Sequence, residues 1–142
     1  MSTDTTRKKN QQRSRRAREE WLPQLAEKYP RAFFADGRER KPLKVGIHQD
    51  ILADADNTLA AYQLTSALRW YTGAYAYQCK LTEGTPRIDL QGEVSGKVTA
   101  DDAAAAAARA QAIKQRMEEA RQRKSEAERA ERWMKKLSRL SG

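Results

Sequence analysis

Residues that could catalyse a reaction or hold a metal ion are sparse in this sequence. It contains one histidine, His48, and one cysteine, Cys79, so no pair of ligands stands at zinc-binding spacing. We interpret His48 as a surface or core-edge residue rather than a general base, and Cys79 as a small buried side chain. The sequence therefore predicts no enzyme activity, no catalytic residue, no metal and no cofactor.

Two further patterns are weaker than they first look. The segment GEVSGK resembles a phosphate-binding loop, but its glycines are one residue too close together and Val98 replaces the Ser or Thr that would bind Mg²⁺. We therefore reject a nucleotide-binding loop. Four carboxylates lie beside predicted helix starts, where capping and the helix dipole explain them: Asp54, Asp56, Asp101 and Asp102.

Charge is the feature that narrows the choice of partner. Lys and Arg number 28 against 19 Asp and Glu, a net charge of +9 that favours a polyanion. By segment, the net charge is +4 over residues 1–20, +1 over 21–98 and +4 over 99–142. Because the middle segment holds nearly all the Leu, Ile, Val and Tyr, we expect a folded core there and electrostatic arms at both ends. Nucleic acid and an anionic membrane both match this charge.

The composition also predicts a soluble, cytoplasmic protein. Residues 1–20 are polar throughout and lack the apolar region of a signal peptide. No stretch approaches the ~20 apolar residues that span a bilayer. A single cysteine excludes an internal disulfide and fits a reducing compartment.

Helical spacing of apolar residues predicts the elements of the middle segment. We expect helices over about 22–29, 45–54 and 58–71, the last capped by Asn57, and a short helix around 75–79. The candidate buried positions of the second and third helices are Val45, Ile47, Ile51, Leu52, Leu64, Leu68 and Tyr71.

The end of the middle segment and the N-terminal segment differ in pattern. Residues 87–98 alternate apolar and polar side chains about a turn at Gln91-Gly92, which predicts a β-hairpin. Residues 1–17 show no apolar periodicity, so we expect a mobile basic arm without regular structure. The predicted fold class is mainly α with a small β-hairpin and a long C-terminal helix.

That long helix begins with a capping box formed by Thr99 and Asp102 and continues through an alanine run to about Leu137. A helix of ~35 residues would extend roughly 50 Å, too far to rest entirely on the core. We favour a solvated single helix for its distal half. A coiled-coil dimer is the alternative, because residues recur every heptad at Ile113, Ala120, Ala127 and Met134.

Basic and aromatic side chains are grouped in the middle segment. Arg69 precedes Trp70 and Tyr71, and Arg87 opens the hairpin. Such mixtures suit phosphate contact combined with stacking on unpaired bases. The alternative is that Arg69 and Arg87 make only surface ion pairs, for which Glu83 and Asp89 are the candidate partners. A second basic group surrounds Pro42 and consists of Arg38, Arg40, Lys41 and Lys44.

Several runs in the same order resemble the ProQ/FinO family of RNA chaperones. They are KPLKVGIHQDI at 41–51, SALRWYT at 66–72, and RIDLQG at 87–92 followed by Gly96, and the resemblance spans about 25–110. It implies a largely helical domain whose concave basic face binds RNA stem-loops with single-stranded 3′ tails, such as terminators. The implied clients are small regulatory RNAs and messenger 3′ ends, and the implied activities are their stabilisation, strand exchange and duplexing.

The resemblance also implies the layout and the site. The layout is a flexible basic arm over 1–20, the RNA-binding domain over 21–110 and a basic helical extension over 111–142. Carried over by position, the RNA-binding residues are Lys44, Arg69, Tyr77 and Arg87, with Lys41, Asp50 and Tyr71 as neighbours. Thr65 and Ala76 stand where the family often carries arginine. The auxiliary basic residues of the two arms are Arg7, Lys8, Lys9, Arg13, Arg15, Arg16, Arg18, Arg109 and Lys114.

Two other functions remain open on the sequence. One is a protein-interaction or assembly module in which the C-terminal helix dimerises and the charge is merely solubilising. The other is a DNA-binding repressor, because residues 57–78 superficially resemble a helix-turn-helix, although no recognition helix rich in Arg, Asn or Gln follows Gly73. The favoured interpretation is a monomer that binds RNA, binds DNA weakly and has no membrane partner.

Overall fold

A computed structural model describes residues 3–141, with side chains from residue 5 onward. Helices dominate, and one short antiparallel hairpin lies between the fifth helix and the last. This confirms the predicted fold class. The elements are α1 (Thr3–Arg16), a π-helical turn (Ala17–Trp21), α2 (Leu22–Lys28), α3 (Ile47–Ala53), α4 (Ala61–Thr72), α5 (Tyr75–Gln78), β1 (Pro86–Ile88), β2 (Val94–Lys97) and α6 (Ala100–Ser141).

The chain is helical from Thr3, where the sequence predicted an irregular arm. The cause is an anchored junction: Ala17 and Trp21 are 0% and 2% exposed, so the turn between α1 and α2 is fixed in the core. Pro23 lacks the N–H that a regular helix would bond there, and a π-helical turn adapts, with the N–H of Leu22 donating to the carbonyl of Ala17. From this junction α1 continues outward as a polar helix.

The helix α3 is shorter than the sequence predicted, and two expected core residues are exposed. Ile47 and Ile51, one turn apart, are buried. Val45 precedes the helix and is 74% exposed. Leu52 lies within the helix but points away from the core, and it is 41% exposed. Their predicted burial was therefore wrong, because only one narrow face of α3 contacts the core.

The helix α4 begins at Ala61, three residues later than predicted. Asn57 is not its N-cap. Its side-chain oxygen accepts a hydrogen bond from the N–H of Leu59 (3.0 Å) and its amide donates to the carbonyl of the same residue (3.0 Å). This local bonding stabilises a turn and competes with helix initiation. Gln63 instead accepts from the N–H of Ala60 (2.9 Å) at the observed helix start.

The inner face of α4 and the short helix α5 complete the core. Leu64, Ala67 and Tyr71 of α4 are buried, as is Tyr77 of α5. Cys79 follows α5 and is exposed, so the prediction that it is buried was wrong. The short helix turns Tyr77 and its neighbour Gln78 inward, which leaves the next residue on the outside.

The hairpin was predicted correctly, and the segment around Leu43 pairs with it as well. Gly92 has a φ of 78°, and Asp89 accepts from the N–H groups of Gln91 and Glu93 (both 2.9 Å), which closes the turn. Leu43 pairs with Ile88 in parallel orientation. Through this pairing the hairpin holds the segment before α3 directly beside Arg87, the middle residue of β1.

The helix α6 is longer than predicted, with 42 residues and a length of about 60 Å. Its start is capped as expected, since Thr99 Oγ1 accepts from the N–H of Asp102 (3.2 Å). Ala106 is its only buried residue among those described. The rest of the helix leaves the body, and its distal end exposes Trp133, Met134, Leu137 and Leu140. Within residues 3–141, none of the helices combines the length and apolar character needed to cross a bilayer.

Candidate nucleic-acid interface

Arg87 joins three parts of the chain at the surface. Its Nη1 donates to the carbonyl of Leu43 (2.8 Å), and its Nη2 donates to the carboxylate of Asp102 at the start of α6 (3.2 Å). The side chain is only 12% exposed. Its Nε is buried and has no hydrogen-bond partner within the part of the chain that the structure describes. Arg87 therefore ties β1 to the segment before α3 and to the last helix.

The partner of Arg87 differs from the one the sequence suggested. Glu83 and Asp89 were the candidates, whereas Asp89 closes the hairpin turn and the ion pair forms with Asp102. A hydrogen bond from the Thr99 hydroxyl, and then the Arg87 guanidinium, hold the pKa of Asp102 below its usual value. The pairing of Arg87 with Asp102 could not be recognised in the sequence, because Asp102 already had a role there in the capping box with Thr99.

Tyr77 holds the other side of the Leu43 peptide. Its hydroxyl accepts a hydrogen bond from the N–H of Leu43 (3.0 Å), so the N–H and the carbonyl of that residue are both fixed by side chains. The ring is 4% exposed, and burial raises the pKa of Tyr77. A buried ring is not available to stack on a base. The part of Tyr77 that could contact RNA is therefore its hydroxyl group rather than its ring.

Lys44 projects from the same segment. Its N–H donates to the carbonyl of Ile88 (2.8 Å), and its ammonium group forms an ion pair with Asp50 of α3 (2.8 Å). Both side chains are 36% exposed, so the ammonium group reaches solvent while one of its protons is held. Asp50 thus fixes the position of Lys44. These contacts bring together four of the residues expected from the resemblance, namely Lys44, Asp50, Tyr77 and Arg87.

Tyr71 and Lys41 lie away from that group. Tyr71 is 1% exposed, its hydroxyl accepts from the N–H of Phe34 (3.1 Å), and the Arg40 guanidinium lies 4.3 Å from its ring centre. Burial raises its pKa. Lys41 is exposed, with its ammonium group 6.0 Å from the ring centre of Phe34. Tyr71 is therefore a core residue, and Lys41 lies on the neighbouring surface.

Arg69 lies on the exposed face of α4, which looks toward α1 on one side and α3 on the other. It lines a cleft with residues of α1, while Thr65 on the same helix contacts His48 of α3 through a 3.1 Å hydrogen bond. Within residues 3–141 the Arg69 side chain shares no hydrogen bond or ion pair with the group around Leu43. Arg69 therefore adds a separate positive charge on the helical side of the body.

The auxiliary basic residues divide into paired and unpaired ones. Three of them form exposed ion pairs with only two glutamates, Glu19 and Glu20, in the described structure: Arg15 (3.3 Å), Arg16 (2.9 Å) and Arg18 (3.4 Å). Arg109 is docked on the body, since its Nε donates to the side-chain oxygen of Gln78 (2.9 Å). Exposed residues outside these contacts are Arg7, Lys8, Lys9, Arg13 and Lys114.

Metal-binding side chains do not converge anywhere in residues 3–141, where no group of three or more His, Cys, Asp or Glu could hold an ion. The described surface offers instead fixed cations, a phenol hydroxyl and hydrogen-bonded backbone. Such groups bind oxyanions such as phosphate.

The sequence is similar to that of known proteins. A sequence model described as the ProQ/FINO family matches residues 15–125. The protein "RNA chaperone ProQ" of Haemophilus influenzae is 40% identical over 127 residues, which cover 82% of this chain and 64% of that protein. The chain therefore spans less than two thirds of the length of this relative.

Two solved structures are similar in fold. The NMR solution structure of a ProQ homolog from Legionella pneumophila has a TM-score of 0.54 and 32% identity, covering 63% of this chain and 77% of its own. The crystal structure of a FinO-like RNA chaperone from Neisseria meningitidis has a TM-score of 0.53 and 26% identity, covering 84% of this chain and 98% of its own. The family match begins just before the π-helical turn and ends within α6.

Proposed function

The chain belongs to the ProQ/FINO family, and from this premise we propose that it is an RNA chaperone that binds stem-loops with single-stranded 3′ tails. The observation that carries the proposal is the group around the Leu43 peptide: Tyr77 and Arg87 fix that peptide, and Lys44 projects beside it. The names of the similar proteins from Haemophilus influenzae and Neisseria meningitidis support RNA as the ligand.

Each member of the group has a separate part in binding. One of the three ammonium N–H groups of Lys44 donates a hydrogen bond to Asp50, which leaves two to donate to phosphate oxygens. The Tyr77 hydroxyl accepts from Leu43 and keeps its own proton free to donate to a phosphate or a ribose. Arg87 is mostly enclosed, so it acts chiefly as a positioning residue whose charge also attracts the strand.

This arrangement favours recognition by shape and by the strand end. An A-form stem has a deep, narrow major groove that side chains cannot read, whereas its phosphates and a free 3′ end are accessible. The clients that fit are small regulatory RNAs and messenger 3′ ends, which the chain would stabilise. Such binding requires no covalent chemistry, so the proposal includes neither an enzyme activity nor a cofactor.

The flanking segments complete the proposal. Residues 21–110 form the recognition domain, and the segments 1–20 and 111–142 supply basic residues that assist strand exchange and duplexing. For the first of them we propose flexibility only in the part before Ala17, whose position RNA would fix, because α1 is helical and the junction from Ala17 onward is buried in the core. We further propose a cytoplasmic monomer with weak affinity for DNA and no membrane partner.

Two lysines with the same charge test the proposal in the full-length chain. Lys44→Ala should weaken binding to a 3′-tailed hairpin about tenfold, because it removes charge-assisted hydrogen bonds. Lys97→Ala, an exposed change on β2, which pairs with the opposite edge of β1 from Leu43, should weaken it about twofold at most through general electrostatics. Fluorescence anisotropy at several salt concentrations measures both variants.

The salt series provides the second criterion. Roughly six phosphate contacts predict that log K falls with log salt at a slope near −4 to −5. Equal effects of the two lysine variants, or an affinity that salt leaves unchanged, would contradict the proposed interface. Tighter binding to duplex DNA than to hairpin RNA would favour the DNA-binding alternative.

A further inference from the structure

A polar cleft lies between α1 and α4, apart from the group around Leu43. It has a volume of about 280 Å³ and is lined by Asn10, Arg13, Ser14, Ser66, Arg69 and Trp70. Two of these side chains are guanidinium groups and none is a carboxylate. The cleft therefore places two positive charges beside neutral hydrogen-bonding groups, without an acid to compensate them.

The direction of Arg13 is fixed by the helix that carries it. Asn10, Arg13 and Ser14 share a helical face with Ala17, which is completely buried in the junction to α2. Because Ala17 must point into the body, the residues one and two turns before it point toward α4. Trp21, at the far side of the junction, contacts Tyr62 of α4 edge-on at 6.1 Å between ring centres.

Neither arginine of the cleft is neutralised. Arg15, Arg16 and Arg18, which lie on other faces of the same helical segment, form ion pairs with Glu19 and Glu20. In the described range 3–141 the side chains of Arg13 and Arg69 form neither ion pairs nor hydrogen bonds. The two glutamates of the segment thus pair with arginines outside the cleft, two of which also lie over the rings of Trp21 and Trp70, whereas Arg13 and Arg69 remain available.

The packing of α1 on α4 also lacks an apolar contribution. The sequence of α1, TDTTRKKNQQRSRR, contains no apolar side chain, so burial of hydrophobic surface does not hold it against α4. Repulsion between Arg13 and Arg69 opposes their approach. An anion bound between them would remove that repulsion and would stabilise the position of the helix.

We propose that Arg13 and Arg69 form a two-arginine clamp for one phosphodiester group of the RNA stem. Guanidinium groups bind phosphate oxygens through two parallel hydrogen bonds, and the cleft is wide enough for a phosphate with its ribose. Trp70, which is 39% exposed, also lines this cleft and offers apolar contact to the sugar. The clamp makes α1 part of the surface that recognises the hairpin, and Arg13 is then more than an auxiliary basic residue.

This inference rests on the proposed RNA-binding function and extends it to a second contact. Arg13→Ala and Lys8→Ala remove the same charge from the same helix of the full-length chain, but Lys8 lies roughly 140° around the helix from Arg13 and faces away from the cleft. Arg13→Lys keeps the charge and removes the planar fork. Anisotropy titrations with a 3′-tailed hairpin give the affinity and the salt slope of each variant.

We expect Arg13→Ala to weaken binding about tenfold and to lower the magnitude of the salt slope by about one. We expect the same of Arg69→Ala, which removes the other arginine of the clamp. Lys8→Ala should cost about twofold, and Arg13→Lys should fall between the two. Equal affinities of Arg13→Ala and Lys8→Ala would overturn the clamp, while a loss in Lys44→Ala would show that RNA binding itself stands. If Lys44→Ala also matched Lys97→Ala, the proposed function would fail instead.

A polyaspartate competitor separates RNA from an acidic protein partner. For each protein we compare the polyaspartate concentration that displaces half of the hairpin with the dissociation constant of the hairpin. The clamp predicts that the ratio of these two values is similar for the wild-type chain and for Arg13→Ala. If Arg13→Ala lost affinity for polyaspartate but kept its affinity for the hairpin, the cleft would be a site for an acidic peptide, and the clamp would be wrong.

Discussion

Tyr77 and Tyr71 use their hydroxyl groups in the same way toward two different segments of backbone. Each hydroxyl accepts one backbone N–H, from Leu43 for Tyr77 (3.0 Å) and from Phe34 for Tyr71 (3.1 Å), and the two ring centres lie 5.9 Å apart. They differ in what lies beyond the hydroxyl. Only Tyr77 shares its backbone partner with Arg87, at the proposed RNA interface.

Replacing each tyrosine by phenylalanine separates stability from RNA binding. Both Tyr77→Phe and Tyr71→Phe leave a buried N–H without its acceptor, so each should lower the free energy of unfolding by about 1–2 kcal/mol in urea titrations. Only Tyr77→Phe should also weaken hairpin binding, by about fivefold or more, because a donor to RNA is lost. A similar loss of affinity in both variants would indicate that the effect comes through stability alone.

The hydrogen bond between Tyr29 and Asp54 makes stability depend on pH. The Tyr29 hydroxyl donates to the carboxylate of Asp54 (2.6 Å) and is the main cause that lowers the pKa of Asp54, while burial and the same bond raise the pKa of Tyr29. Because the folded pKa of Asp54 lies below its unfolded value of about 3.9, this contribution is complete above that pH and is lost as pH falls through the folded pKa.

Acid titration of two tyrosine variants tests this link. Tyr29→Phe should reduce the loss of stability that the wild-type chain shows as pH falls below about 4, since the carboxylate no longer gains a donor on folding. Tyr62→Phe, at an exposed position on α4, should leave that pH dependence unchanged. The measurement is the urea midpoint between about pH 2 and pH 6. Parallel profiles of the wild-type chain and Tyr29→Phe would contradict the assignment.

Two glycines of the hairpin, Gly92 and Gly96, have a positive φ but lie in different surroundings. Gly92 has a φ of 78°, and a Cβ there would lie 3.0 Å from Arg31 Cβ and 3.2 Å from the Arg31 carbonyl oxygen. Gly96 has a φ of 87°, and a Cβ there would meet no atom within 4 Å. The backbone strain of an alanine is similar at both positions, and the steric contact exists only at the first.

Alanine at each glycine should therefore have different costs. Gly96→Ala should lower the free energy of unfolding by about 1 kcal/mol through strain alone. Gly92→Ala should lower it by a further ~1–3 kcal/mol, because the Arg31 backbone must move. Thermal or urea unfolding of the two variants gives the comparison, and equal losses would show that the contact with Arg31 relaxes freely.

Elements with a clear local pattern were predicted well, and errors arose where tertiary anchoring or a competing local turn decides the structure. Alternation around Gly92 marked the hairpin, and Thr99 marked the start of α6. The helix α1 has no apolar periodicity, so its extension from the buried residue Ala17 could not be foreseen. Asn57 resembled an N-cap by type, yet it folds a turn with Leu59 instead.

At the scale of the whole molecule, most of the net positive charge lies outside the middle segment. Residues 21–98 contribute a net charge of +1, while the two ends contribute +4 each; within the middle segment Lys44 pairs with Asp50, and Arg87 pairs with Asp102 at the start of α6. We therefore propose that attraction of RNA over a distance comes mainly from the ends, and that the group around Leu43 and the cleft between α1 and α4 select among the molecules attracted. Sequence resemblance indicated Lys44 and Arg87, but the pairing of Arg87 with Asp102 requires the folded chain.

The free 3′ end of the RNA provides the most direct test of this account. The affinity of the full-length chain is measured for one hairpin with a free U-rich 3′ tail and for the same hairpin with that terminus blocked, at two salt concentrations. Added salt should weaken both complexes, while the free end keeps an advantage of about tenfold or more at each concentration. Equal affinities for the free and the blocked hairpins would contradict the proposed interface.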